Sequence, residues 1–459
     1  MNRQDIKLCA GNPHIHAGTR CVGLLIGTML FVASSVSAGV AIAPSSVSFT
    51  PVAGGAEISY SLTDGPAIVT MEIQTNSLAN GEGEWLAMNG TDVQHVKGDV
   101  NRIVRSVGER CSILWKAHKD IPDRIFTNGT IRAVLTAWAT NAPPDWLVVG
   151  LSSANDVRFY ATTNDLPHGF GSDIYKTTHL LMRKIPASGV TWMMGTPPDE
   201  YSAWDADREI QHRVMLTEDY YMGVYEVTQG QYTNMCDNAN PSTQKNDSDS
   251  YLRPVENVGV RILRGQQTLF GADDYWWPHT GHQVRPGCVL DQLRSRTGLD
   301  GFDLPTSAEW EYACRAGTVT AFYNGLSASN DNLGEIAWFA GNSGSLSHPV
   351  GQKQPNAWLL FDMLGNVQEC CRDRHTTGVA YIATFAPDYA QPDVTTGGVT
   401  VDPDGGMVGD SAASTSICKC GGMFAEWTSR VRCGAHIPGG WDYCDKYTGF
   451  RLWLPAVFK

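Results

Sequence analysis

Charged residues are scarce in this 459-residue chain. They make up 18% of it, and 34 basic against 47 acidic side chains leave a formal charge of −13. Neither sign forms a long run. Phosphate recognition needs clustered Lys and Arg, so this balance argues for no nucleic acid partner. Long apolar runs are missing after residue 38, so no later segment reads as a bilayer-crossing helix. Helical periodicity is rare as well. Between residue 39 and residue 230 cysteine occurs once, as Cys111, which reads as a small buried apolar side chain. What the chain does have is Gly, Trp and Tyr in quantity. That composition suits a loop-rich globular protein better than a helical or disordered one, and the length allows two or three domains with separate cores.

The first 38 residues read as a leader outside the fold. Arg20 precedes the apolar run "CVGLLIGTMLFVA", and "SSVSA" follows before Gly39. A positive flank, a short hydrophobic segment and small residues at Val36-Ser37-Ala38 match a secretory signal. An uncleaved anchor is the alternative, for which the run is short. The expected product is exported, to the periplasm, the cell surface or the medium, with no membrane span after cleavage. Removal of Cys9 and Cys21 leaves ten cysteines, nine of them after residue 230. In an oxidising compartment such clustering favours disulfides over free thiols.

Residues 39–165 read as short strands divided by turns. "AEISYSLT" and "AIVTMEIQT" alternate apolar and polar side chains, as a half-buried strand should. "CSILWKA" and "IRAVLTAWAT" continue the pattern, with "NGEGE" and "TNGT" as turn signals. The expected product is a β-sandwich of roughly 120 residues, the size of an immunoglobulin-like or fibronectin-type module. It shows no clustered acids, histidine pair or nucleophile setting. A linker is expected over 166–180, and a second domain of different texture over 181–459.

One helix in that second domain is plain. "TSAEWEYACRAG" places Thr306 as N-cap and Glu309 three residues on, a capping box. Trp310, Ala313 and Cys314 fall on one face, and Gly317 suits the stop. Glu309 and Glu311 could be an acid pair, but residues two apart on a helix point away from each other. Glu309 is explained as a capping partner. "DQLRSRTG" closes another short helix, and in "YEVTQGQY" Glu226 and Gln231 read as internal hydrogen-bond partners.

Several stretches then occur in a telling order: "IPASGVTWMMGT", "HRVMLTEDYYMGVYEVTQGQY", "RPVENV", "DLPTSAEWEYACRAG", "HPVGQKQPNAWLLFDMLGNVQE" and "GFRLW". Over about 181–455 the chain resembles the formylglycine-generating enzyme, or sulfatase-modifying factor, family. The resemblance implies an irregular α+β domain of the C-type-lectin-like kind, here preceded by an all-β sandwich. It also implies oxidation of a sulfatase cysteine to formylglycine by copper held on a cysteine pair. The matching segment here is "KCGGMFAEWTSRVRCGAH", where Cys420 and Met423-Phe424 depart from the family's Arg-Gly-Gly-Ser-Trp. No cysteine lies between Met423 and Arg432, and Thr428 stands where the second of the pair would fall. Gln368 replaces a family tryptophan. Reduced copper prefers soft thiolates, so copper is not expected and no catalytic residue is assigned.

The resemblance implies two further features. Cys314 and Cys433 match cysteines that form a disulfide in the family. "DMLGNVQE" matches a calcium-binding segment, which implicates Asp362, the carbonyls of Gly365 and Val367, and Glu369 in structural calcium. Calcium takes six to eight oxygens, which carboxylates and turn carbonyls supply. The alternative is that these residues only hold a turn by hydrogen bonds. Cys418, Cys420, Cys433 and Cys444 superficially suggest zinc, but their intervals are unusual for it. Cys236, Cys288, Cys370, Cys371, Cys418, Cys420 and Cys444 have no assignable partners. The function expected is a non-catalytic or divergent binding protein with a glycan or protein ligand, and the alternative is a copper-dependent formylglycine-making oxidase. An iron-dependent sulfoxide-forming relative would need a His-rich partner domain, which the N-terminal half does not offer.

Overall fold

A computed structural model describes residues 30–35, 40–78, 82–122, 130–197, 200, 209, 211–265, 282–327, 329–374, 399–402, 416–440 and 442–458. The fold is rich in strands and has few helices.

Two sheets enclose the first core. One has β1 (Leu30–Ser35), β9 (Ile131–Ala139), β4 (Ala67–Asn76) and β5 (Trp85–Ala87) in that order, with β7 (Arg102–Val104) also on β4. The other runs β2 (Ser48–Val52), β3 (Gly55–Tyr60), β8 (Cys111–Trp115) and β6 (Val96–Gly98). The alternation predicted from sequence is seen in β9, whose Ile131, Ala133, Leu135 and Ala137 are buried against Ile58, Ile113 and Trp115. Cys111 lies in this core, 2% exposed, as expected.

Leu30–Ser35, the described part of the stretch read as a leader, pairs in parallel with β9 from Leu30↔Arg132 to Ser35↔Ala137. The rest of the expected leader lies outside the described residues.

The boundary read at residue 165 runs through one sheet. β10 (Trp146–Gly150) and β11 (Val157–Tyr160), read as part of the first module, join β12 (His179–Ile185), β15 (Tyr220–Gly223) and β21 (Trp453–Pro455) in the order β11-β10-β12-β15-β21. The stretch read as a linker contributes Leu166 and Tyr175 to the interior, both fully buried. Gly and Pro there make short turns rather than a tether.

Helices Gln229–Met235 and Val289–Thr297 cover this sheet and share its core with Leu147, Val149 and Phe302. Helix Ser307–Arg315 packs in a neighbouring core against β13 (Val190–Met194), β14 (His212–Leu216), β16 (Gln368–Arg374) and β18 (Ser416–Cys420). β17 (Thr400–Val401) extends β14. β19 (Ile437–Gly440) and β20 (Thr448–Gly449) flank β18 and β16. The predicted cap is present: Thr306 Oγ1 accepts from Glu309 N at 3.1 Å, and Glu309 Oε2 accepts from Thr306 N at 2.7 Å. The chain leaves this helix through left-handed Ala316 and Gly317, at φ 45° and 92°.

Candidate functional site

The segment before β16 carries an unusual density of left-handed backbone. Leu359, Asp362, Gly365 and Asn366 have φ of 64°, 53°, 79° and 56°. Non-glycine residues in this region are costly and persist only when their surroundings fix them. Asn366 shows how that is done. Its Nδ2 donates to Glu226 Oε2 at 2.7 Å and to His348 O at 3.2 Å, while its Oδ1 accepts from His348 N at 2.9 Å. Gly365 is required sterically, because a Cβ there would stand 2.2 Å from the carbonyl oxygen of Trp338.

This turn delivers Asp362 and Glu369 into a closed interior, where Glu226 from the end of β15 and Arg451 before β21 meet them. Their exposures are 2%, 1%, 0% and 0% respectively. Arg451 Nη2 donates to Glu369 Oε1 at 2.8 Å, and Arg451 Nε reaches both carboxylate oxygens at 3.2 and 3.1 Å. Trp310 Nε1 adds a bond to Glu369 Oε2 at 2.7 Å. Glu226 Oε1 accepts from Val367 N at 3.0 Å. Asp362 Oδ2 accepts from Gly351 N at 2.6 Å, while its buried Oδ1 has no hydrogen-bond partner among the described residues. Burial pushes Asp362 up to about 6, with the Glu369 charge adding to it, and raises Glu226 well above the usual carboxylate range, with the charges of Asp362 and Glu369 adding to it. Three carboxylates thus share one guanidinium in a dry place, an arrangement that favours either protonation or a cation.

The calcium expectation meets a mixed answer in the donor set. Asp362 suits it, having a buried oxygen without a partner. Glu369 does not, because Arg451 and Trp310 already occupy its oxygens. Among the described residues no three His, Cys, Asp or Glu side chains form a group that could hold a metal ion. Sequence reasoning missed Arg451 as the partner of Glu369, although it stands in the quoted "GFRLW". It did place Glu226 as an internal hydrogen-bond partner, and Gln231 serves Thr228 N, Tyr175 O and His179 O in the same way.

The other expected site residues are brought together too. Cys314 Sγ and Cys433 Sγ lie 3.5 Å apart, both fully buried, and as free thiols. Glu311 does not act with Glu309. It lies in a buried group with Arg315 at 2.7 Å, Gly195 N at 2.9 Å and His436 at 3.1 Å. Arg432 is likewise sealed, between Glu209 at 2.6 Å and Glu200 at 2.8 Å.

The segment between Met423 and Cys433 forms turns rather than a strand or helix. Thr428 in it is half-buried and Trp427 beside it is 52% exposed. Gln368 amide Nε2 donates to Thr448 Oγ1 at 2.9 Å, an internal role. Between Met423 and Cys433 the segment holds a hydroxyl and an indole and no cysteine.

A family profile described as "Sulfatase-modifying factor enzyme 1-like domain" matches residues 187–455, more than half of the chain. The chain belongs to this family. Similar proteins include "Chaperone protein LppX" of Paenibacillus barcinonensis, 29% identical over 184 residues, covering 34% of this chain and 63% of that protein. A "Formylglycine-generating enzyme" of Mycobacterium tuberculosis is 33% identical over 111 residues, covering 22% of this chain and 36% of that one. The chain therefore spans less than two thirds of either relative's own length. Of solved structures, "Treponema denticola variable protein 1" is 23% identical with a TM-score of 0.42, covering 60% of this chain and 95% of that one.

Proposed function

We propose that this member of the sulfatase-modifying factor family is an exported binding protein that does not generate formylglycine. The observation that carries the reading is the surroundings of Cys433. Its sulfur is turned into the core, 3.5 Å from Cys314, and the turn segment before it offers Thr428 where copper would need a second thiolate. In an oxidising compartment Cys314 and Cys433 close into a structural disulfide. The similarity to a protein named as a chaperone supports a binding role. The similarity to proteins named formylglycine-generating enzyme supports the alternative, a copper-dependent oxidase.

The ligand in this reading is a glycan or a protein segment that stacks on exposed aromatic rings. Trp427 and Tyr443, 52% and 58% exposed, supply such rings. The two-sheet region serves as an immunoglobulin-like or fibronectin-type spacer, and the second half takes the irregular C-type-lectin-like α+β arrangement. Structural calcium, in this proposal, sits against Asp362 with the carbonyls of Gly365 and Val367. Glu226 rather than Glu369 is then the second carboxylate with acceptor capacity to spare. Turnover is the test: the protein with copper, oxygen and a Cys-x-Pro-x-Arg peptide yields no aldehyde by mass spectrometry, and aldehyde at the cysteine refutes the reading.

A further inference from the structure

Three more thiols meet in the core, away from the segment just discussed. The antiparallel register pairs Glu369 with Cys420 and Cys370 with Lys419. Side chains alternate across a strand, so Cys371, Cys418 and Cys420 share one face of the β16–β18 pair and Cys370 takes the other. The packing agrees: the three lie in the core around helix Ser307–Arg315, and Cys370 lies in the core of the five-stranded sheet. Cys371 Sγ is 3.6 Å from Cys420 Sγ, and Cys418 Sγ is 4.0 Å from Cys420 Sγ. Their exposures are 0%, 3% and 0% for Cys371, Cys418 and Cys420.

We infer that Cys371 and Cys420 form a dithiol that oxidises to a disulfide bonding β16 to β18, with Cys418 left as the adjacent third thiol. The competing Cys418–Cys420 bridge would join positions two apart on one extended strand. Their Cα atoms would be about 6.6 Å apart at a rise of ~3.3 Å per residue, near the upper limit for a disulfide. The cross-strand pair is a diagonal one, since Cys420 stands opposite Glu369, but the register shifts after Cys370 and its sulfurs come closer, to 3.6 Å against 4.0 Å.

A metal held by all three thiolates is disfavoured by the same burial. It pushes the Cys371 and Cys420 thiols up and so favours their neutral forms. The oxidation therefore takes place while the chain folds, when these thiols are still open to solvent. The thiolate of Cys420 attacks a sulfur of a small disulfide oxidant such as oxidised glutathione, and one glutathione thiol leaves. The thiolate of Cys371 then attacks the Cys420 sulfur of that mixed disulfide and the second glutathione leaves. Two protein thiols lose two electrons and two protons, and one oxidant disulfide becomes two thiols.

The test is to refold the reduced full chain in a glutathione buffer, alkylate free thiols under denaturing conditions, and map peptides by mass spectrometry. Lys419 separates Cys418 from Cys420 in a tryptic digest, so the two pairings are distinguishable, and a Cys370→Ser background removes the ambiguity of the adjacent cysteines. The expected result is a linked peptide joining Cys371 to Cys420, kept in Cys418→Ser and lost in Cys420→Ser. Should Cys420→Ser not fold, the wild-type and Cys418→Ser maps still decide the matter. Recovery of Cys371 and Cys420 as alkylated thiols from soluble refolded protein overturns the inference. A Cys371–Cys418 link, or a stoichiometric metal on three reduced thiols, overturns it equally.

Discussion

Arg451 and Glu369 form a sealed ion pair, with the Arg451 Nη2 atom 2.8 Å from Glu369 Oε1 and neither side chain more than 1% exposed. The same guanidinium donates to Gly223 O and Phe361 O, both at 2.8 Å. It therefore ties β15, the left-handed turn and β16 to one another while balancing Glu226, Asp362 and Glu369. Arg451→Ala strands a buried carboxylate, and such losses cost on the order of 3–5 kcal/mol. Urea denaturation is expected to show that drop at pH 7, and a loss under about 1 kcal/mol would mean the pair is solvated.

Gly365 makes the second prediction. It combines φ of 79° with a Trp338 carbonyl oxygen 2.2 Å from where a Cβ would stand. Gly365→Ala should cost on the order of 3 kcal/mol through backbone strain and displacement of Trp338. An unchanged unfolding midpoint would show that the turn adopts another conformation.

His436 carries a pH dependence. Burial disfavours its charge, but Cys418, Glu311 and Glu209 outweigh that and lift it from 6.5 to about 9. Asp373 feels the imidazolium as well. A histidine whose folded value is raised adds stability that is complete below about pH 6.5 and is lost as pH rises through about 9. The melting temperature should fall between pH 7 and pH 9.5, and His436→Gln should flatten that slope. An identical slope in the variant would place the titration elsewhere.

Calcium is checked by melting in the presence and absence of a chelator. If the buried carboxylates hold a divalent cation, chelation lowers the melting temperature and added calcium restores it. Asp362→Ala should abolish the calcium response. No response in the wild type means that Asp362 and Glu226 are balanced by protonation.

Local features were legible in the sequence because their partners are neighbours in it. The Thr306–Glu309 cap spans three residues, and the alternation of "IRAVLTAWAT" is the burial pattern of β9. The buried charge cluster was not, since Arg451 and Glu369 are 82 positions apart and nothing local marks them as partners. The resemblance named Glu369 as a calcium ligand without showing that an arginine and an indole claim its oxygens. Composition also misled at 166–180, where Gly and Pro build buried turns. The adjacent cysteines in "QECCRD" could have been sorted by strand alternation, but only once that stretch was recognised as a strand and not as the end of a turn.

In the function proposed above, this sulfatase-modifying-factor protein does not make formylglycine. The most direct measurement incubates it with copper, oxygen, a thiol reductant and a Cys-x-Pro-x-Arg peptide, beside a formylglycine-generating relative as positive control. Mass spectrometry should find the peptide cysteine unconverted here and converted to aldehyde in the control. Catalytic aldehyde formation by this protein would contradict it.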